Sequence, residues 1–235
     1  MNIKSGKKSS EDPILKFYGA NSYVVVFIAI FIVYAITSSG LTMNGVMNVL
    51  RHSAVIGIIG LGMGVICLTG EIDLSVGSML ALDGGLSVIV FNMTDSILLT
   101  LLFAVLFGAL CGLVNGFMVG YVEMPAFIVT LATMLIFRSF AQYICQHIDK
   151  AFIGGGSSVY KMANDQSAYQ AFYNFGNGKV LMIPIVGVIL IGMTALFVYL
   201  TTSTKYGKKV YAVGSNPKGA RMAGINVPAM KISVF

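Results

Sequence analysis

The chain has 235 residues, of which 57% are hydrophobic and only 10% are charged, and its formal net charge is +6. Its mean hydropathy of +0.86 leaves too little polar surface for a soluble globule of this length. The composition therefore predicts a membrane protein of the all-α class, a polytopic bundle of transmembrane helices, in which the positive charge marks cytoplasmic loops and no nucleic-acid partner is expected.

The N-terminal residues 1–22 are polar and basic. No small-residue cleavage site follows a short apolar core, so this segment does not have the pattern of a removable signal peptide. We expect a cytoplasmic tail at 1–22 and a transmembrane domain at 23–202.

Six apolar segments follow the tail, and several of them approach the roughly 20 residues needed to cross a bilayer. The second has 16 residues and would reach only about 24 Å as a helix, so we expect the second and third segments to be short and either both to cross or both to re-enter. The six predicted spans are 23–37, 54–69, 78–91, 97–121, 126–145 and 181–200.

Two carboxylates, Glu71 and Asp73, lie between the second and third spans in the sequence "ICLTGEIDLSVGSML". Charge is costly in lipid, so such acids are functional candidates. A structural interpretation stays open beside it: Gly70 ends one helix, and Asp73 or Ser75 caps the N-terminus of the next.

Further polar residues inside the spans are candidates for the same pathway. Asp83 lies in the third span and Asn115 in the fourth, and Arg138 in the fifth is a possible ion-pair partner of Asp83. The predicted pathway or gate residues are Glu71, Asp73, Ser75, Asp83 and Asn115.

Glycines recur every fourth residue in the fourth span, at Gly108, Gly112, Gly116 and Gly120, and the pair Gly60 and Gly64 repeats this spacing in the second. Small residues at this spacing let helix backbones approach closely. We favour simple packing over a sliding surface for gating, because such faces are common in proteins with several spans.

Two loops between or after the spans differ in the strength of their charge bias. The connection at 146–180 has a weak charge bias and several aromatic residues, which suits an external loop that contacts a binding protein or lies in the membrane interface. The loop after the sixth span, 203–228, carries four lysines, one arginine and no acid, so it is predicted to be cytoplasmic.

The segment "SNPKGARMAG" within this basic loop has the punctuation of a short helix: Asn216 is the N-cap, Pro217 is the first helical residue, and Gly224 follows the end. A helix of about seven residues is marginal alone in water and needs a partner surface. We favour docking on another protein over adsorption to anionic membrane lipid. The predicted docking residues are Asn216, Pro217, Lys218, Gly219, Ala220, Arg221, Met222, Ala223 and Gly224.

The motifs "GEIDLSVGSMLAL" at 70–82 and "YGKKVYAVGSNPKGARMAGINV" at 206–227 resemble those of the ribose, galactose and xylose permeases of bacterial ABC importers. Branched-chain amino acid permeases share a looser form of the first motif. The resemblance implies a homodimeric permease in the bacterial inner membrane, with a separate ATPase that grips the second motif and a sugar-binding protein outside. It also implies further spans beyond residue 235, where 229–235 would start the next one.

The sequence indicates no enzyme. The segment "NFGNGKV" at 174–180 lacks the first glycine and the hydroxyl residue of a phosphate-binding loop, and the widely spaced Cys67, Cys111 and Cys145 form no metal or redox motif. We therefore expect no catalytic residue, metal or cofactor. The alternative function is an ion- or proton-coupled secondary transporter that uses Glu71, Asp73 and Asp83, while a passive channel ranks lower.

Overall fold

The computed structural model describes residues 21–37, 42–155, 159–180 and 183–235, which form two compact units, 1–48 and 49–235. Most of the predicted tail at 1–22 lies outside the described residues. The elements in chain order are α1 (Ser22–Thr37), α2 (Met43–Leu68), α3 (Val76–Thr94), α4 (Ile97–Gly120), α5 (Ala126–His147), a 3-10 helix (Lys150–Ile153), α6 (Tyr169–Asn177), β1 (Lys179–Val180), β2 (Ile183–Pro184), α7 (Ile185–Ser203), α8 (Lys205–Ser215), α9 (Pro217–Met222) and α10 (Val227–Val234).

The first unit contains α1 and the beginning of α2. The helix α1 is apolar, and none of its side chains is buried. Its 16 residues are fewer than the roughly 17 to 25 residues typical of a span. The hydroxyl of Thr42 accepts a hydrogen bond from the Gly45 N–H at 3.2 Å. This contact satisfies one of the free donors at the start of α2.

Five helices in the described part of the chain are long and apolar enough to cross a membrane: α2, α3, α4, α5 and α7. The prediction that the second and third spans are short was wrong. The helix α2 has 26 residues and α3 has 19. The sequence analysis began the second span after Arg51 and His52, but both residues are helical, and the Arg51 guanidinium donates a hydrogen bond to Asn177 Oδ1 at 2.7 Å.

A capping serine, two prolines and a glycine mark helix ends in the second unit. Ser96 caps α4 by accepting the Leu99 N–H, and prolines directly precede α5 and α7. Gly70 adopts φ +81° two residues after α2 ends, the left-handed conformation that glycine tolerates without steric cost. The predicted helix end at Gly70 is therefore confirmed.

The second unit is built around α3, which packs against both α4 and α5, while α10 lies along α4. A Cβ at Gly116 would lie 2.9 Å from Ile232 Cα, and one at Gly120 would lie 2.7 Å from the Pro228 carbonyl oxygen. Gly112 likewise meets the carbonyl of Phe235. The glycine face of α4 thus packs the backbone of α10, whereas Gly60 and Gly64 have no neighbour within 4 Å in the described structure.

Two connections are more ordered than the sequence indicated. The basic loop at 203–228 contains α8 as well as the predicted short helix α9. The connection after α5 contains the 3-10 helix, α6 and a two-residue antiparallel ribbon in which Lys179 pairs with Pro184. That ribbon is the only sheet in the described residues, so the all-α class is confirmed.

Candidate functional site

The turn between α2 and α3 buries one of its two acids in a polar chain. Asp73 is 3% exposed, and its Oδ1 accepts hydrogen bonds from both the N–H and the hydroxyl of Ser75, each at 2.7 Å. The Ser75 hydroxyl in turn accepts a hydrogen bond from the Asn115 side-chain amide at 2.8 Å. Three of the predicted pathway residues are therefore brought together, and they tie the turn to the C-terminal half of α4.

The capping interpretation holds for Asp73 and is wrong for Ser75. The carboxylate of Asp73 accepts the backbone N–H of Ser75, directly ahead of α3. Ser75 occupies the N-cap position but makes no side-chain capping bond, because its hydroxyl is used by Asp73 and Asn115.

Glu71 has a different partner, which the sequence analysis missed. Its Oε1 accepts a hydrogen bond from Lys231 Nζ in α10, and both side chains are largely buried, 18% and 22% exposed. A lysine inside an apolar helix requires a nearby carboxylate, because an unpaired buried charge is costly. This requirement could have identified Lys231 from the sequence, because it is the one charged residue in the predicted start of a span at 229–235.

Asp83 and Arg138 do not form the predicted ion pair. Asp83 Oδ1 is buried and has no hydrogen-bond partner among the described residues, and its other oxygen faces Gly108 of α4. Arg138 lies on an exposed face of α5. The expectation failed because α3 turns Asp83 toward α4, whereas spacing along the sequence gives no information on which neighbour a helix face meets.

The short helix α9 has the predicted capping and terminating residues. The Asn216 side chain accepts the Gly219 N–H at 2.9 Å, Pro217 begins the helix, and Gly224 adopts φ +80° after its end. Ala220 is buried beside Val213 and Val227. These apolar contacts fasten one side of α9 to α8 and α10.

The other side of α9 is open. Met222 is 90% exposed, Gly219 is half-buried, and Asn216, Pro217, Lys218, Arg221, Ala223 and Gly224 are exposed. Arg221 donates a hydrogen bond to Glu123 Oε1 at 3.2 Å, a contact that the sequence did not predict. Both side chains are more than half exposed, so this pair orients the helix more than it stabilises the fold.

The α8 to α10 segment is also fixed to the end of α2. Gly214 lies against the Leu68 carbonyl, where a side chain would clash. Val210 and Val234 pack with Val65 and Ile66 in one apolar cluster. Backbone contact, apolar packing and the Glu71–Lys231 pair therefore connect α9 mechanically to the turn that holds Asp73.

The opposite end of the unit has a polar connection of its own. The Asn92 side-chain amide donates hydrogen bonds to the Phe152 and Lys161 carbonyls, at 2.8 and 3.0 Å. Asp95 accepts hydrogen bonds from the Ser167 hydroxyl and the Ala168 N–H, which lower the pKa of its carboxyl. The end of α3 thus holds the segment that leads into α6.

The described residues contain no group of three or more histidine, cysteine or acidic side chains that would suit a metal ion. The polar groups instead form chains that link helices to one another. Such an arrangement can transmit movement between the exposed helix α9 and the buried turn.

A family model described as the branched-chain amino acid transport system permease component matches residues 45–235. The ribose import permease protein of Bacillus subtilis (strain 168) is 34% identical over 238 residues, which cover 99% of this chain and 70% of that protein. No solved structure shows a significant match.

Two other relatives give a similar result. The ribose import permease protein of Haemophilus influenzae is 31% identical, over 91% of this chain and 63% of the relative. The xylose transport system permease protein of Escherichia coli K12 is 30% identical, over 90% and 66%. The chain thus spans about two thirds of the length of these curated relatives. It belongs to the family of branched-chain amino acid transport system permease components, within which it is similar to ribose and xylose permeases.

Proposed function

We propose that the chain is the membrane permease subunit of an ATP-driven importer for a monosaccharide of the ribose, galactose or xylose class. It would form the translocation pathway and couple it to a separate ATPase. The functions named for its relatives, ribose import and xylose transport, support the sugar class.

The observation that carries this proposal is the construction of α9. One side is fixed through the buried Ala220, while the other presents Met222, at 90% exposure, beside two cations. A cavity of about 520 Å³ adjoins this side and is lined by Glu123, Pro217, Lys218, Arg221 and Met222. A flexible apolar side chain next to a depression suits a protein partner, and this supports an ATPase docking there.

The proposed assembly follows from the same arrangement. The basic character of 203–228 supports a cytoplasmic position for α9, and the N-terminus would lie on the same side of a bacterial inner membrane. A second permease copy would complete the pathway, and an extracytoplasmic sugar-binding protein would dock near α6. The exposed aromatic residues Tyr173 and Phe175 support that last contact.

The secondary-transporter alternative is not favoured. It needs acids that are free to bind the coupling ion, but Glu71 is engaged by Lys231 and Asp73 by Ser75. Of these three acids, only Asp83 has a buried carboxylate oxygen without a hydrogen-bond partner in the described structure. The alternative also gives no role to the exposed face of α9.

The docking role is tested by affinity purification of the permease with its ATPase subunit. Met222→Glu places a charge at the centre of the proposed interface, and we expect roughly a tenfold or greater loss of ATPase association, as for a central interface residue. Arg221→Glu is expected to weaken it as well.

Two controls separate docking from folding. Met222→Leu keeps an apolar side chain and should associate normally, and Met93→Glu alters an exposed methionine at the opposite end of α3. Unchanged association and uptake in both Met222→Glu and Arg221→Glu would refute the docking role.

A further inference from the structure

Arg138 lies at the middle of a helix that is long enough to span the membrane. It is residue 13 of the 22 in α5, and it is exposed in the described structure. No hydrogen bond or ion pair of its side chain occurs among the described residues. A charge at this depth is very costly in lipid and almost always faces a bundle interior or a water-filled cavity.

Gln142 and Gln146 continue the same face of α5 toward its C-terminal end. They follow Arg138 at four-residue intervals, so all three side chains lie along one stripe. Both glutamines are exposed, and neither has a side-chain hydrogen bond within the described ranges. Phe140 is 55% exposed and lies on the opposite side of the helix from Gln142.

The two glutamines of this stripe line a groove between α3 and α5, and Arg138 lies one helical turn beyond its lining. The groove encloses about 650 Å³, and its lining includes Gly84 and Gly85 of α3, Gln142 and Gln146 of α5, and Tyr160 from the segment before α6. Its size is within the range of small-molecule sites. The two glycines leave part of the α3 wall without side chains, between Leu80 and Val88.

Tyr160 is held as the end wall of the groove. Its hydroxyl donates a hydrogen bond to the Ala141 carbonyl at 2.7 Å. Its ring lies over Gly85, where a Cβ would come within 2.6 Å of a ring carbon. Burial also raises the pKa of the Tyr160 phenol, so the group stays a neutral donor. An aromatic face next to two free amides is thereby fixed in place.

We propose that this groove is a sugar-contacting subsite of the translocation path, an inference that rests on the proposed function. A monosaccharide presents adjacent hydroxyls that both donate and accept hydrogen bonds, and a side-chain amide does the same. Gln142 and Gln146 would hold the hydroxyls, Tyr160 would cover an apolar face of the sugar, and Arg138 would donate to it deeper in the membrane.

The first test is the access of water-soluble reagents. The background is a variant in which Cys67, Cys111 and Cys145 are replaced by alanine. Gln142→Cys is introduced into it, with Phe140→Cys as the control, and membranes that contain each variant are treated with a charged thiol reagent. Gln142→Cys should react, and D-ribose should slow the reaction, while Phe140→Cys should not react. An unreactive Gln142→Cys means that lipid or protein covers this face. A reaction that none of D-ribose, D-xylose and D-galactose slows means a wet face without a sugar site. Either result overturns the proposal.

The second test is ATP-driven sugar uptake by the complete importer. Gln142→Leu should lower uptake by roughly threefold to tenfold, the effect of losing one neutral hydrogen bond, and Phe140→Leu should leave it unchanged at equal membrane levels. Normal uptake by a double variant that carries both Gln142→Leu and Gln146→Leu would contradict the subsite. If the unsubstituted importer shows no ATP-driven sugar uptake, the proposed function fails, while thiol access still reports on the groove.

Discussion

Ser75 is the residue through which the buried turn and α4 are joined. Its hydroxyl donates to Asp73 and accepts from Asn115, and all three side chains are almost fully buried. Without that hydroxyl, the Asn115 amide loses its only described acceptor and Asp73 loses one donor. A buried group left unpaired costs more than the mean value of a hydrogen bond.

Ser75→Ala is therefore expected to destabilise the protein by about 1 to 2 kcal/mol. The loss stays this small because hydrogen bonds inside membrane proteins contribute less stability than their burial suggests. The measurement is the unfolding midpoint in detergent. Ser139→Ala, at an exposed position of α5, is the matched control. Equal midpoints for the two variants would contradict the role given to Ser75.

The sequence singled out the polar residues of the turn but not their partners. Glu71, Asp73, Ser75 and Asn115 stood out in the sequence because polar groups are rare in its apolar spans. The sequence did not indicate that Lys231 would meet Glu71, or that Asp83 would turn away from Arg138, since both facts depend on how helices far apart in the chain are rotated against one another.

At the scale of elements, α4 and α10 meet through glycine. Gly116 and Gly120 lie so close to the backbone of α10 that a methyl group would have no room. The favoured packing interpretation of the glycine repeat is consistent with these contacts. The same repeat in α2 has no neighbour in the described structure, so spacing alone did not identify which face would be used.

Gly116→Ala is expected to cost about 1 to 3 kcal/mol of stability, because the new Cβ would lie 2.9 Å from Ile232 Cα and backbone must move to admit it. Gly60→Ala has open space around the new group and should be neutral or slightly stabilising, since alanine favours helix. Thermal unfolding of both variants tests this pair. A Gly116→Ala variant as stable as Gly60→Ala would show that α10 does not pack on this face.

The Glu71–Lys231 pair links the turn to α10. Lys231→Met leaves a largely buried carboxylate without its cation and should cost roughly 2 kcal/mol, with a parallel fall in uptake. Exchange of the charges in Glu71→Lys with Lys231→Glu should restore part of both losses. If the double variant is no better than the sum of the single variants, the two side chains do not interact in the membrane.

Element positions were mostly predictable, and element lengths were not. Asn216, Pro217 and Gly224 mark α9 in the sequence because each has a backbone preference of its own. The predicted second span began at residue 54, eleven residues after the start of α2, and so it left out the helical residue Arg51. Its partner Asn177 lies far along the chain and gives no local signal.

At the scale of the whole molecule, the second unit has two polar ends joined by apolar helices. One end holds α9, α10 and the Asp73 turn, connected through Glu71 and Lys231. At the other end, Asn92 and Asp95 fasten the segment before α6 to α3. A movement imposed on α9 therefore has a continuous path to the turn at the start of α3, and α3 extends to the opposite end.

The membrane class and the six apolar segments followed from composition and hydropathy, and the family followed from two motifs in the right order. The tertiary arrangement did not follow, because an apolar residue is equally suited to lipid and to a neighbouring helix. Which side of a helix faces which is decided by packing shape, and the pattern of apolar residues does not encode it.

The central claim is that ATP hydrolysis by a separate subunit drives transport through α9. Sugar accumulation in energised vesicles that contain the complete importer, with the proton gradient collapsed by an uncoupler, tests it most directly. The account predicts that accumulation continues with ATP and falls sharply in Met222→Glu. Accumulation that stops with the uncoupler while ATP remains, or that proceeds without any ATPase subunit, would contradict it.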